Sequence, residues 1–393
     1  MASNQHLDVL VWGLADFGKP RTRILLSGLS QQPNIEIRYL VRDIWAGVED
    51  KSQIKGLRRK FNILWAVLSA YPILLMQFFR SPRPDVVLIP YMGVFDILVL
   101  KAAAAIRGTP IVWDAFLSLF DTIVDDRKMV REESLTAAAI RLLEGAACRC
   151  ADTILLDTKA HAEYFEESYP ACKGKTRAIL VGAETLFFER AWTTRSPTEE
   201  QAFSVLFYGQ CIPLHGIRWI LDAINMCEDP TIRWELIGDG QDVDLIQSHI
   251  KKFPNSGMTW TRWVDYENLP ARIASADLCL GIFGDSAKAA RVIPNKIFQY
   301  AAMGMPFVTR CSPAISELFD GAAPGVFLVE PASPSAILAA VEEAKEAQMR
   351  DQKFHRGIEK KICPNGVGAS LNNILRAAAT SELWNRSLTT RRL

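Results

Sequence analysis

Short apolar runs alternate with helix-compatible segments along the whole chain. Leu7 to Gly13 and Ile35 to Val41 have the length and apolar content of strands in a buried parallel sheet. The alternation restarts at Ser204 to Tyr208 and continues through Arg233 to Ile237 as far as Val326 to Val329. This pattern predicts an α/β protein with two Rossmann-like domains that face each other across a cleft.

A polar stretch separates the two sets of strands. Residues 191–202 read Ala-Trp-Thr-Thr-Arg-Ser-Pro-Thr-Glu-Glu-Gln-Ala, which is typical of a linker. We therefore assign residues 1–190 to an N-terminal domain and 203–369 to a C-terminal domain. The last helix, within 370–393, is expected to join the N-terminal domain.

The segment from Gly281 to Pro306 has the pattern of a strand end, a loop and a short helix. Pro294 has the fixed φ favoured in a first helical turn, and Gly304 is a typical helix stop. Three basic residues lie near this helix start: Lys288, Arg291 and Lys296. A helix N-terminus with positive side chains favours an anion. The alternative is a core helix beside solvated basic residues.

Polar residues also follow the predicted strands of the N-terminal domain. Asp16 and Gly18 lie in the first loop, and Asp114 and Asp121 follow the strand that ends at Trp113. The carboxyl ends of parallel strands are where α/β sheets bind ligands. Helix caps and turn contacts are the alternative for each carboxylate, and His161 on a helix can equally be structural.

Composition narrows the class of protein. Of the 393 residues, 23% are charged and 49% hydrophobic, and the formal net charge is +1, which indicates a globular protein and argues against nucleic-acid binding through the overall field. The eight cysteines form no C-x-x-C pair, so we expect reduced thiols and no zinc site. The N-terminus shows no secretory signal pattern, which predicts a cytoplasmic location.

Segment 51–79 departs from this ordinary composition. A basic run precedes the 19 residues from Phe61 to Phe79, which carry no charge. Three interpretations remain open: a helix of the domain, a helix in the membrane interface with its basic neighbours on anionic lipid, and a membrane span. The second would place the protein peripherally on the inner face of the membrane.

An ordered series of motifs in the C-terminal domain resembles family 4 glycosyltransferases, which have the GT-B fold. The motifs are Phe207-Tyr-Gly-Gln-Cys-Ile-Pro-Leu-His-Gly216, Glu235-Leu-Ile-Gly-Asp-Gly240, Trp263-Val-Asp-Tyr-Glu-Asn-Leu269 and Asn295-Lys-Ile-Phe-Gln-Tyr-Ala-Ala-Met-Gly-Met-Pro306. Segments around Asp16, Asp114 and Asp157 resemble one bacterial branch of that family.

The resemblance implies a hexosyltransferase-type enzyme that transfers a sugar from a nucleotide-sugar donor with retention, without a metal or other cofactor. It points to these donor-binding positions: Gly209, Gln210, His215, Gly238, Trp263, Val264, Lys288, Arg291, Lys296 and Gln299. In the N-terminal domain, Asp16 and Gly18 are expected to face the donor. Asp114, Asp121 and His161 are candidates for positioning the acceptor, a glycan or lipid-linked molecule, or the sugar hydroxyls.

The sequence departs from the family pattern at the donor site. Gln210 and His215 stand where the family has an Arg and a Lys, and Arg291 and Gln299 stand where it has the two acids of Glu-x7-Glu. We expect Lys288, Arg291 and Lys296 to replace the diphosphate clamp, and Gln299 to accept a hydrogen bond from ribose. The alternatives are a catalytically silent binding or scaffold subunit and a sugar-nucleotide epimerase of the same fold.

Overall fold

The computed structural model describes residues 5–44, 57–189, 202–319, 321, 323–347 and 353–380, with the backbone alone over 57–64. These residues form two compact units. Unit 1 comprises those within Met1–Thr122, Val130–Val181 and Pro364–Leu393; unit 2 comprises those within Ile123–Met129 and Gly182–Cys363. The proposed linker, except Ala202, and the proposed C-terminal helix beyond 380 lie outside the described residues.

Unit 1 is a six-stranded parallel sheet with the strand order β2-β1-β3-β4-β5-β6. Its strands are β1 (Leu7–Gly13), β2 (Ile35–Val41), β3 (Val86–Ile89), β4 (Ile111–Phe116), β5 (Thr153–Leu156) and β6 (Thr176–Ala178). Its helices are α1 (Pro20–Ser30), α2 (Leu57–Arg80), α3 (Val94–Arg107), α4 (Leu135–Cys150), α5 (Lys159–Ser168) and the last helix, α15 (Pro364–Thr380). A 3₁₀ turn covers Pro170–Cys172, and a π-helical segment, Asp121–Asp126, runs from unit 1 into unit 2.

Two packing features hold unit 1 together. Trp12 and Trp113 are buried in the sheet beside Phe78 of α2. Helices α1 and α15 cross at Gly28 and Gly368: a Cβ on Gly28 would lie 1.9 Å from the carbonyl oxygen of Pro364, so only glycine permits this approach. The last described helix, α15, therefore packs closely against the first helix, α1.

Unit 2 is a second six-stranded parallel sheet, with the strand order β12-β11-β10-β7-β8-β9. Its strands are β7 (Phe203–Tyr208), β8 (Ile232–Ile237), β9 (Met258–Thr261), β10 (Leu278–Leu280), β11 (Phe307–Arg310) and β12 (Val326–Val329). Its helices are α6 (Leu186–Glu189), α7 (Ile217–Met226), α8 (Val243–Lys252), α9 (Leu269–Ser275), α10 (Ala287–Arg291), α11 (Asn295–Met303), α12 (Pro313–Ser316), α13 (Pro334–Glu346) and α14 (Glu359–Ile362). Short 3₁₀ turns cover Pro213–His215 and Tyr266–Asn268. The predicted α/β class with two Rossmann-like domains is confirmed.

The elements around the 281–306 segment match the sequence pattern except at two points. Helix α11 stops at Gly304, which adopts the left-handed conformation (φ 72°). Strand β10 ends at Leu280, earlier than the pattern of this segment indicated, although the Gly281 N–H still donates a hydrogen bond to the carbonyl oxygen of Val308 in β11. The additional helix α10 follows, capped by the Ser286 side chain, which accepts a hydrogen bond from the Ala289 N–H.

Segment 57–80 is a single helix that packs on unit 1. Among the described residues, no helix combines the length and the apolarity that crossing a bilayer requires.

Candidate functional site

The order of strands in unit 2 reverses between β7 and β10, which are neighbours in the sheet. In open α/β sheets, ligands bind outside the carboxyl ends of the strands at such a reversal point. Gly209 follows β7 and Gly281 follows β10, so both lie at this edge. The first turn of α11 directs Lys296 to the same place.

Lys296 is buried there without an acidic partner. Its side chain is 4% exposed; Nζ lies 3.4 Å from the carbonyl oxygen of Gly281 and 3.8 Å from the centre of the Phe207 ring. Within the part of the chain that the structure describes, no carboxylate forms an ion pair with it. Burial lowers the pKa of Lys296 well below its usual range. A buried ammonium group that lacks a counter-ion is costly, so this position favours an anionic ligand.

Glycines let the backbone close around Lys296. Gly209 has φ 141°, and a Cβ there would lie 3.0 Å from Lys296 Nζ and 3.1 Å from His215 Cε1. Gly238 follows β8 with φ 149°, and its Cβ would lie 1.9 Å from the carbonyl oxygen of Gly209. Both positions need glycine because their backbone conformation and their neighbours exclude a side chain. Of the predicted donor positions, these two thus lie close to Lys296.

His215 contributes a neutral ring to the same edge. Burial, and then the charge of Lys296, lower the pKa of His215 well below its usual range, although the residue is only half-buried. Its Nδ1 contacts the carbonyl oxygen of Gln210, which can only accept, so Nδ1 carries the proton and Nε2 is an acceptor. His215 must therefore gain a proton before its Nε2 can donate to an anion.

Gln299, one turn after Lys296, is held by two tyrosines rather than left open. Its Oε1 accepts a hydrogen bond from the Tyr208 hydroxyl, and its Nε2 donates to the Tyr266 hydroxyl at 2.9 Å. The Tyr266 hydroxyl in turn donates to Glu184. Gln299 is 4% exposed, so the structure gives its amide a role in a buried hydrogen-bond chain. Tyr208 and Tyr266 lie within two of the sequence motifs, but nothing in the sequence indicated that their hydroxyls would meet Gln299 and Glu184.

The surroundings of Lys288 and Arg291 differ from those of Lys296. Lys288 is 5% exposed, and its Nζ lies 3.7 Å from Asp126 Oδ2, which is itself 2% exposed. This ion pair joins α10 to the Ile123–Met129 segment of unit 2. Arg291, at the end of α10, is half-buried. Lys296, by contrast, lies beside the loop after β7, where a Cβ on Gly209 would lie 3.0 Å from its Nζ.

The remaining donor positions lie at the same edge of the sheet of unit 2. Gln210 is exposed next to Gly209. Trp263 and Val264 follow β9, and the indole of Trp263 is 60% exposed with its Nε1 3.4 Å from Asp265 Oδ1. An exposed indole beside a switch-point site offers a flat apolar surface to a ligand.

The Asp114 carboxylate at the end of β4 is neutralised within unit 1. Arg21 Nη2 donates to Asp114 Oδ1 at 2.7 Å, and Arg21 Nη1 donates to the carbonyl oxygen of Ile179 at 2.8 Å. Both side chains are almost fully buried, at 1% and 0% exposed. Burial raises the pKa of Asp114, and Arg21 opposes that rise. The Arg21 guanidinium, at the start of α1, is therefore engaged inside unit 1.

The other candidates of unit 1 are buried as well, except Gly18, which is exposed. His161 Nδ1 lies 2.8 Å from Asp157 Oδ1, and the His161 ring packs against Phe165. Asp16 accepts a hydrogen bond from the N–H of Gly18 at 3.0 Å, which is a turn contact. Asp121, at the start of the π-helical segment, is 0% exposed. The charge of Asp157 is one of the causes that raise the pKa of Asp114, after burial.

The comparisons with known proteins agree with this architecture. Residues 202–346 match the family model described as Glycosyl transferases group 1. The comparison with curated proteins finds no match. Three solved structures have similar folds over almost the whole chain, and at these identities the likeness concerns the fold alone.

The first is HepE from Anabaena in complex with UDP, 13% identical, covering 94% of this chain and 100% of that chain with a TM-score of 0.66. The catalytic domain of Starch Synthase IV from Arabidopsis thaliana, bound to ADP and acarbose, is 12% identical, covering 95% and 100% with a TM-score of 0.68. Sucrose-phosphate synthase from Thermosynechococcus elongatus is 12% identical, covering 94% and 98% with a TM-score of 0.65. The chain therefore has the GT-B fold of glycosyltransferases, and its second unit carries the match to the glycosyl transferases group 1.

Proposed function

We propose that the protein is a glycosyltransferase that transfers a sugar from a nucleotide-sugar donor and holds the donor diphosphate at Lys296. The observation that carries this proposal is Lys296, which is buried at the strand-order reversal of unit 2 and has no carboxylate partner among the described residues. The similar structures support it, because HepE is described in complex with UDP-glucose and Starch Synthase IV with ADP.

The chemistry follows from charge. When the bond between the sugar and the diphosphate breaks, negative charge grows on the departing nucleotide, and a pre-positioned ammonium group stabilises it. In this proposal Lys296 serves that purpose without a metal ion. The motif resemblance supports transfer with retention. Gln299 acts as a positioning residue, since its amide is already engaged by Tyr208 and Tyr266.

A panel of nucleoside diphosphates tests donor binding directly. At a concentration about 100 times its dissociation constant, the matching nucleotide should add about 2.7 kcal/mol to the stability of the folded protein. We expect a rise in melting temperature for one base over the others, followed by turnover of its sugar conjugates in the presence of EDTA. If no nucleotide raises the melting temperature, the proposal is wrong. Loss of turnover in EDTA would refute its metal-independent form alone, and the anomeric configuration of the product tests retention.

Replacing Gly209 with alanine should weaken nucleotide binding. The new Cβ would displace Lys296 Nζ, and the φ of 141° would add backbone strain of about 1–3 kcal/mol. Gly174→Ala is the control, because Gly174 has φ 76° in open space with nothing within 4 Å of an added Cβ. Titration calorimetry should show weaker binding for Gly209→Ala only. Equal affinity in both variants would mean that the nucleotide does not lie near Gly209.

A catalytically silent subunit remains the second candidate. The observation that favours it is the uncharged amide of Gln299, engaged by two tyrosines at a position where the resemblance predicts an acid. Such a protein would bind a nucleotide but would neither transfer nor hydrolyse any donor. Measuring binding and turnover on the same preparation separates the two functions.

A further inference from the structure

Helix α2 exposes an apolar face to solvent. Five large hydrophobic side chains on it are between 40% and 66% exposed: Trp65, Leu68, Ile73, Met76 and Phe79. They recur at helical spacing, together with exposed Pro72, so they form one stripe along about four turns. We call these residues the α2 stripe. Contiguous apolar surface of this kind marks an interaction site more often than isolated exposed residues do.

The opposite face of α2 is fixed on the core of unit 1. Ala70, Leu74 and Phe78 are buried, with 6%, 1% and 0% of their surface exposed. Arg107 donates hydrogen bonds to the carbonyl oxygens of Phe78 and Ser81, and its guanidinium lies 5.0 Å from the centre of the Phe78 ring. Rotation of the helix cannot bury the stripe without removing these contacts.

The sequence around the stripe is strongly basic. Residues 51–84 contain no Asp or Glu and seven basic residues: Lys51, Lys55, Arg58, Arg59, Lys60, Arg80 and Arg83. The whole chain has a formal net charge of only +1, so the positive charge is concentrated in this segment. An apolar helix face flanked by Lys and Arg is the pattern of helices that lie in the interface of a bilayer with anionic lipids.

We propose that the α2 stripe is a docking surface for an anionic lipid bilayer, with α2 lying in the interface and its apolar side chains inserted between headgroups. A second copy of the chain fits this surface less well, because a two-fold contact would place the same basic segment against itself. The inference is independent of the proposed transferase activity.

Vesicle co-sedimentation of the full chain tests this surface. We expect binding to vesicles of phosphatidylcholine with about 30% phosphatidylglycerol and weaker binding to phosphatidylcholine alone. Added salt should weaken the binding to the anionic vesicles, because it screens the charges. The double variant Trp65→Glu/Met76→Glu should bind the anionic vesicles at least about tenfold more weakly, because it removes inserted apolar area and adds negative charge. The variant Arg58→Gln/Arg59→Gln should reduce binding to anionic vesicles and leave the weak binding to neutral ones unchanged.

A matched control comes from α4 of the same unit. Leu135 and Leu142 are 90% and 72% exposed, so Leu135→Glu/Leu142→Glu makes the same change in charge and removes two exposed apolar side chains elsewhere. This control should bind vesicles like the unchanged protein, and circular dichroism should show that all three double variants are folded. The proposal is overturned if the unchanged protein binds neither vesicle, or if Trp65→Glu/Met76→Glu and Leu135→Glu/Leu142→Glu bind equally. It is also overturned if sedimentation velocity shows a dimer that only the α2 variant dissociates.

Discussion

Replacing Lys296 with methionine is expected to lower nucleotide affinity at least about 100-fold and to leave unit 2 folded. The reason for the first effect is that truncating one partner of a buried charge pair costs 2–5 kcal/mol or more. The reason for the second is that methionine fills a similar volume beside Phe207 and needs no counter-ion. Calorimetric titration and thermal unfolding measure the two effects separately.

Lys251→Met is the matched control for this variant. Lys251 is an exposed lysine of the same unit, so the change in net charge is identical. We expect its nucleotide affinity to stay within about twofold of the unchanged protein, since exposed charges contribute little. If the Lys296→Met variant and the Lys251→Met control bind the nucleotide with equal affinity, α11 has a purely structural role.

The lowered pKa of Lys296 adds a pH signature. The ammonium form binds the diphosphate, so binding should take up protons, and affinity should fall as rising pH deprotonates Lys296. Without nucleotide, Lys296 holds its proton more strongly in the unfolded chain than in the folded one. The unfolded chain therefore binds more protons at pH values between the lowered pKa of folded Lys296 and the ordinary lysine value of about 10.4. Stability should therefore rise with pH across that window, and Lys296→Met should lack this rise.

The second large effect is expected at Arg21. Arg21→Met leaves Asp114 buried without its partner, and breaking a buried ion pair in this way costs about 3–5 kcal/mol. Without Arg21, the pKa of Asp114 should rise further than burial already raises it. The stability deficit should be complete near neutral pH and should shrink as pH falls towards about 4, where the unfolded carboxyl also becomes protonated. Calorimetric unfolding at several pH values measures it.

Two controls distinguish a buried pair from ordinary packing. The double variant Arg21→Met/Asp114→Asn should recover much of the lost stability, because no uncompensated charge remains. Arg38→Met breaks the pair of Arg38 with Asp8, whose side chains are 22% and 20% exposed, and should cost less. If Arg38→Met is as destabilising as Arg21→Met, burial is not what makes the first pair important.

Local signals predicted most of unit 2. Strands β7 and β8 begin one residue before the apolar runs Ser204 to Tyr208 and Arg233 to Ile237 and end with them. Gly304 ends α11 because it can adopt a left-handed conformation. The end of β10 was predicted less well. The run from Gly281 to Phe283 is as apolar as a strand and is buried, yet β10 ends at Leu280, and Gly281 and Ile282 keep one backbone hydrogen bond each to β11 before the chain turns towards α10. Apolarity alone does not locate the last residue of a strand.

The sequence likewise predicted only part of the candidate site. The sequence placed Lys296 at a helix start and indicated an anion site. It also suggested Lys288 as a partner in binding, but Lys288 lies beside Asp126, which is far away in the chain. Likewise, the position of Asp114 after a strand suggested a carboxylate available to a ligand, whereas Arg21 forms a buried ion pair with it. Ion pairs between distant segments depend on how strands are ordered, and periodicity along one segment contains no information about that order.

The amino-acid sequence by itself determined the α/β class, the two sets of strands and the basic, apolar character of segment 51–79, because these depend on spacing and composition over short ranges. Only the tertiary structure decided which charges are neutralised and which are not. Adjacent placement of β7 and β10 leaves Lys296 buried, with no carboxylate among the described residues to pair with it, and packing of one face of α2 leaves the opposite apolar face exposed. Both outcomes arise from contacts between residues far apart in the chain, which burial makes energetically decisive.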